Sequence, residues 1–392
     1  MIKLQKSTFL NEEDTKKKLC EFIEQAKFLS MGEECGKFED NFSKKQDRKY
    51  SVFVNSGSSA NLLLIQALLN INRLKKGDIV AVSALTWPTN IMPLIELGLQ
   101  PILVDCEVDS LNVSTRTLKD ALEIQPNIKA FFLTNTLGLA DDISEIAIFC
   151  SDKKIILLED NCESLGSIID GKLLGNFGLA STFSFFVGHH ISTIEGGMVC
   201  TDDKELYKNV VISRSHGWDR HLSPDSQKKI RKHYDIDDFF AKYTFYDLAY
   251  NLRPTEINGF LGNNQINYWG HLVNKRFDNF IKLHKIIESN EDMVSLRFSH
   301  MDVVSNFAIP VILKDQSLVA DYKKKFVDAE VEIRPMIAGN MARQPFYRKY
   351  VSNPGNQPNA EFVHAHSFYF GNNPELTEAE LNLLSELLVG DR

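Results

Sequence analysis

A succession of short apolar runs at residues 52–54, 79–82, 101–105, 129–134 and 154–160, separated by stretches of helical spacing, dominates the first half of the chain. Runs this short, alternating with helices, predict a mainly parallel sheet covered on both faces, an α/β architecture. Ligands of such sheets gather beyond the carboxyl ends of the strands. Asp160, Asn161 and Glu163 follow one predicted strand end, Ser58 a second and His189 a third.

The third of these ends lies in the stretch 184–197. Its aromatic and apolar residues predict a buried strand stopping at Gly188, and Glu195-Gly196-Gly197 supplies a turn into the next strand. His189 and His190 therefore stand at a strand end. They fit a site there, although an isolated histidine is more often a satisfied one in a core or at its rim. At the second end, Asn55-Ser56-Gly57-Ser58-Ser59-Ala60-Asn61 opens a helix over 62–69. Small residues and free amides at a helix start suit a phosphate, or simply make a good cap.

Elsewhere the spacing predicts an amphipathic helix within 11–29 and a turn at 84–90 leading into a helix that ends near Gly98. Residues 228–238 are charged and aperiodic, which predicts a surface loop or lid. A long helix over 271–287 leads to strands at 307–312 and 330–333. The closing helix spans 378–388, with Thr377 and Glu380 at capping-box spacing. A chain of 392 residues can fill two cores, here assigned to a large domain over 1–250 and a smaller one over 251–392.

A net charge of −8 gives no electrostatic support for general nucleic-acid binding, so an anionic ligand would need local basic residues. The N-terminal residues lack a signal-peptide pattern and no apolar run is long enough for a bilayer, which predicts a cytoplasmic protein without membrane contact. Cys20, Cys35, Cys106, Cys150, Cys162 and Cys200 are widely scattered, predicting reduced packing thiols and no metal site.

Taken in order, 55–61, Glu159-Asp160-Asn161-Cys162-Glu163-Ser164, Ser181-Thr182-Phe183-Ser184-Phe185 and Glu195-Gly196-Gly197-Met198 resemble the motifs of the nucleotide-sugar aminotransferases, the DegT/DnrJ/EryC1/StrS family. The resemblance covers the chain from about Met31 onward. It implies the aspartate aminotransferase-like architecture of fold type I pyridoxal phosphate enzymes, with a large domain built on a mainly parallel mixed sheet and a smaller C-terminal α+β domain. It also implies a homodimer with shared active sites. By the same resemblance Asp160 pairs with the cofactor's pyridinium nitrogen. Gly57, Ser58 and Ser184 hold its phosphate, and Trp87 stacks on its ring. Asn251, in the Tyr-Asn-x-Arg segment, reaches the phosphate from the neighbouring subunit. Glu163 stands where aminotransferases tend to have glutamine near the phenolic oxygen, so a carboxylate there must share a proton or be otherwise neutralised.

One departure decides the chemistry. Where the aminotransferases carry the lysine that binds the cofactor covalently, this chain has His189. Imidazole cannot make that link, so the cofactor is expected to rest unattached, as pyridoxamine phosphate. Histidine here, followed by His190, resembles the nucleotide-sugar 3-dehydratases within the family, some of which use an iron-sulfur cluster while others need only the pyridoxamine cofactor. The scattered cysteines point to the second kind, with no iron-sulfur cluster. The resemblance implies removal of the C3 hydroxyl from a nucleotide-linked 4-keto-6-deoxyhexose in dideoxysugar biosynthesis, with His189 as acid and base, ammonia released and L-glutamate restoring the amine. At pH 7 roughly three quarters of an unperturbed imidazole is neutral and available as base. His216, Arg220, Glu332 and Arg334 are the candidates for sugar and diphosphate, with surface salt bridges as the competing role. An aminotransferase using unattached cofactor and a non-catalytic sugar-nucleotide-binding homologue are the alternatives.

Overall fold

The computed structural model describes residues 1–390. The early apolar runs become strands β1 (Tyr50–Val54), β2 (Ile79–Ser83), β3 (Gln100–Val104), β4 (Ile128–Thr134) and β5 (Ile156–Asp160). A two-stranded ribbon follows, β6 (Ile168–Ile169) and β7 (Lys172–Leu173), and then β8 (Ala180–Ser184) and β9 (Gly197–Thr201). Seven of these form one sheet in the order β1-β9-β8-β5-β4-β2-β3. Strand β9 is antiparallel to both neighbours, whereas β8, β5, β4, β2 and β3 pair in parallel. Every residue of β8 and β9 is buried, as both faces of the sheet are covered.

One flank of that sheet is aromatic. Phe38 and Phe42 of the helix Glu33–Gln46 meet Phe53 of β1, Phe183 of β8, Phe185 and Trp269 in one buried cluster. The Phe38–Phe185 and Phe42–Phe185 ring centroids lie 5.1 Å and 5.2 Å apart, edge to face. Burying each such ring stabilises the fold by about 1.5–3 kcal/mol. Phe185 thus anchors the chain where it leaves β8 for the histidines.

A second sheet, β10 (Ala308–Ile312), β11 (Ile333–Pro335) and β12 (Ser367–Gly371), has β12 central and antiparallel to both others. The helix Trp269–Ser289 leads toward it, and Glu378–Leu388 closes the chain with the Thr377–Glu380 capping box in place. Among the described residues no helix is long and apolar enough to cross a membrane.

The structure departs from the sequence reading in four places. Strand β8 stops at Ser184, not Gly188, because its pairing with β9 runs out at Ser184–Gly197 and the chain turns. Residues 224–233 form a helix where a loop or lid is predicted over 228–238. It buries no side chain, hence shows no apolar period, and is held by Ser223 as N-cap and by Arg231 bonded to Asp219 at 2.7 Å. The helix predicted from residue 62 starts at Gly57, bringing Ser58 into its first turn. Of the strand predicted at 330–333 only Ile333 belongs to β11, since Val331 pairs with Ile2 instead.

Candidate active site

Several chain segments converge on one cavity of about 580 Å³ at the carboxyl ends of β5 and β8. The last residue of β5, Asp160, is 3% exposed, and buried carboxylates require partners. Its Oδ2 accepts from Asn61 Nδ2 at 3.0 Å and Asn90 Nδ2 at 2.8 Å, and its Oδ1 from the Cys162 amide at 2.9 Å. Thr182 on β8 in turn donates to Asn61 Oδ1 at 2.7 Å, which fixes the orientation of that amide.

The helix Gly57–Asn70 points its start at the same cavity, with Gly57 and Ser58 in the wall. Ser56 caps it, its Oγ accepting from the Ser59 amide at 3.0 Å. First-turn amides have no partner within a helix, and the helix end carries partial positive charge. A Cβ on Gly57 would fall 2.6 Å from Ser184 Cβ, so only glycine lets the helix start rest against Ser184. A Cβ on Gly197 would fall 2.2 Å from the Ser56 carbonyl oxygen. The Glu-Gly-Gly turn and the helix start are therefore in backbone contact.

His189 hangs between these walls. Its amide donates to the Phe186 carbonyl at 2.9 Å, and its ring lies 6.0 Å from the Phe186 ring and 5.6 Å from the Phe307 ring. Its Nδ1 is buried without a hydrogen-bond partner. Burial drives its pKa from 6.5 down to about 4, against the opposing pull of Asp160. The ring is neutral throughout the neutral range. His190 points elsewhere: its Nε2 lies 3.1 Å from the Ser305 carbonyl, and burial holds it well below the ordinary histidine range.

Glu163 accepts from the Leu137 amide at 2.7 Å, and burial, aided by the charge on Asp160, raises its pKa to about 8. It is a neutral acid at pH 7. Trp87, 51% exposed, lies at the rim. Glu332 and Arg334 form another wall, with Arg334 Nη2 donating to Glu332 Oε1 at 2.5 Å. His189, Asp160, Glu163, Gly57, Ser58, Ser184, Trp87, Glu332 and Arg334 are thus brought together.

Asn251, His216 and Arg220 are not brought to this cavity. Asn251 is exposed, with its Oδ1 accepting from Arg253 at 2.9 Å. The His216 ring lies 4.8 Å from that of Trp218, and the Arg220 guanidinium covers Trp218 at 3.8 Å. Conversely, Asn90, Phe307, Tyr369, Leu4 and Gln5 line or support the site without having been singled out. Asn61 belongs to the 55–61 motif, but nothing in its spacing shows that it reaches Asp160.

The fold and this site define a class: the chain belongs to the DegT/DnrJ/EryC1/StrS aminotransferase family, which residues 10–388 match. Among its relatives, GDP-4-keto-6-deoxy-D-mannose 3-dehydratase of Yersinia pseudotuberculosis is 35% identical over 372 residues, 93% of each chain. A crystal structure of a His-to-Asn mutant of GDP-4-keto-6-deoxymannose-3-dehydratase with bound GDP-perosamine superimposes with a TM-score of 0.89 at 32% identity, covering 99% of this chain and 100% of that one. A second structure of that enzyme, holding a trapped PLP-glutamate geminal diamine, matches with the same score, identity and coverage.

Proposed function

We propose that this protein is a pyridoxamine phosphate-dependent 3-dehydratase that removes the C3 hydroxyl of GDP-4-keto-6-deoxy-D-mannose. The observation that carries the reading is a neutral His189 facing the cavity of Asp160, at the position where the family's aminotransferases have lysine.

The residues present fit the cofactor. A buried carboxylate, Asp160, suits a protonated ring nitrogen, and the helix start at Gly57 and Ser58 with the Ser184 hydroxyl suits a phosphate. Trp87 offers a face to the ring, and Glu163, as a neutral acid, can donate to an anionic phenolic oxygen. When bound, pyridoxamine phosphate supplies a primary amine for the C4 ketone and an electron sink.

His189 moves the protons. As neutral imidazole it accepts one from carbon, and as imidazolium it hands one to the C3 hydroxyl as that group leaves. A depressed pKa makes the imidazolium a stronger acid for the second transfer and the imidazole a weaker base for the first. Phe307, buried beside the ring, limits the access of water on that side. The overall exchange balances: the sugar loses oxygen, and L-glutamate is oxidised to 2-oxoglutarate with ammonia set free.

In this reading Glu332 and Arg334 meet the sugar and diphosphate. His216, Arg220 and Asn251 serve the cavity of a second copy in a homodimer. Their surface supports that arrangement, since Phe239, Phe240, Tyr243 and Leu248 are each about seven-tenths exposed around them. The division into domains over 1–250 and 251–392 and a cytoplasmic location belong to the same proposal.

The test is incubation of the purified protein with pyridoxal phosphate, L-glutamate and GDP-4-keto-6-deoxy-D-mannose. Ammonia with a 3-deoxy-4-keto sugar supports the proposal. An amino sugar would make the protein an aminotransferase, and no product a binding protein. Mass spectrometry of the same assay with CDP- and dTDP-linked sugars fixes the nucleotide.

A further inference from the structure

The N-terminal residues lie as a strap across the second sheet, and the middle of the strap reaches the cavity. Ile2 pairs with Val331: its amide donates to the Glu330 carbonyl at 2.8 Å, and its carbonyl accepts from the Glu332 amide at 2.9 Å. Farther along, Lys6 Nζ bonds to Glu380 at 2.7 Å and to the Glu375 carbonyl at 2.9 Å. Leu10 exchanges hydrogen bonds with the Gln265 carboxamide. Between these pins the strap rests directly on β12, where a Cβ on Gly371 would fall 2.8 Å from Leu4 Cα.

Leu4 and Gln5 line the cavity, and the Leu4 amide donates to Glu332 Oε2 at 3.1 Å. The opposite oxygen of the same carboxylate takes Arg334. Each carboxylate oxygen has a second lone pair, so Glu332 keeps acceptor capacity for a ligand, fixed in direction by a backbone amide on one side and a guanidinium on the other. A carboxylate held in this way recognises hydroxyl donors. A diphosphate, an acceptor, would be repelled by it and drawn to the free edge of Arg334.

We propose that Leu4 is a positioning residue for the hexose: its amide orients Glu332 to accept a hydrogen bond from a sugar hydroxyl, so the strap is part of substrate recognition. This rests on the reading of the cavity as a sugar-nucleotide site. A hydrogen bond to a charged group sets the size of the effect, about tenfold in affinity.

The experiment measures equilibrium binding of GDP-perosamine to the cofactor-loaded protein and its Leu4→Pro, Glu332→Gln and doubly substituted forms. Proline removes the amide hydrogen. Each single change is expected to weaken binding about tenfold and the double to be no worse than Glu332→Gln, because both act through one carboxylate. Unchanged affinity in Leu4→Pro, or losses that multiply in the double variant, overturns the proposal. Should Leu4→Pro not fold, Lys6→Ala loosens the strap outside the cavity. It is expected to weaken GDP-perosamine binding several-fold while converting its cofactor with L-glutamate at the parent rate, and unchanged affinity there also overturns the proposal. A parent protein that converts no cofactor with L-glutamate would sink the proposed reaction, while the affinity comparison still decides the role of the strap.

Discussion

Arg276 donates from Nη2 to the carbonyl oxygen of His189 at 3.2 Å, and from Nη1 to the carbonyls of Asn306 and Asn372 at 3.3 Å and 2.5 Å. Only 1% exposed, it bonds to carbonyls, and burial lowers its pKa to about 9. One side chain of the long helix thus ties His189 to one end of the second sheet, where β10 begins beside the end of β12. Its charge also helps hold the His189 pKa down.

Replacing Arg276 by Met should therefore raise the pKa of His189, read by NMR titration of the imidazole. Losing donors to three carbonyls should cost about 3 kcal/mol in urea unfolding. Slacker placement of the base should lower kcat about tenfold or more with little change in cofactor affinity. A His189 titration that does not move would show that the arginine acts on packing alone.

His189→Lys should gain a covalent hold on pyridoxal phosphate, seen as cofactor retained on the protein after borohydride reduction and denaturation. Dehydration should be lost, because the amine that replaces the ring is occupied by the link and, when unlinked, is mostly protonated. Full dehydratase activity in this variant would remove His189 from its assigned role.

Glu163 and His189 bend the pH dependence of stability in opposite directions. The folded-state pKa of Glu163 is raised from 4.5 to about 8, so its contribution is fully present below 4.5 and lost as pH rises toward 8. That of His189 is depressed from 6.5 to about 4, so its contribution is full above 6.5 and lost as pH falls toward 4. In urea unfolding of the cofactor-free protein, Glu163→Gln should abolish the part of the decline between pH 5 and 8 that comes from this carboxyl. A variant whose stability falls over that interval as steeply as the parent's would contradict the assignment.

Asn61→Ala and Asn90→Ala each remove one of the two amides on Asp160 Oδ2. Either should weaken pyridoxal phosphate binding about tenfold, and the pair together about a hundredfold, measured by cofactor absorbance after dialysis. Binding unaffected in the double variant would mean that Asp160 does not need this support.

Much of the site was legible because its parts sit at strand ends. Asp160 closes an apolar run, and Gly57 and Ser58 open a helix, so local pattern alone placed them on one edge of the sheet. The exchange of lysine for His189 was visible only against the family motif. Asn90, Phe307, Tyr369 and the Leu4–Glu332 bond were not legible, since each depends on contacts between distant parts of the chain with no periodic or spacing signal. The helix Pro224–His233 was missed for a different reason: a helix that buries nothing carries no apolar stripe.

The contact between Gly197 and the Ser56 carbonyl has an evolutionary corollary. Insertions or deletions between residues 185 and 196 would disturb the helix start at Gly57 and the placement of His189 at once, so this scaffold disfavours a change of loop length. A swap of one side chain at position 189 leaves the crossing untouched. New chemistry is therefore most readily reached here by exchanging the side chain that faces the cavity while the backbone around it stays put.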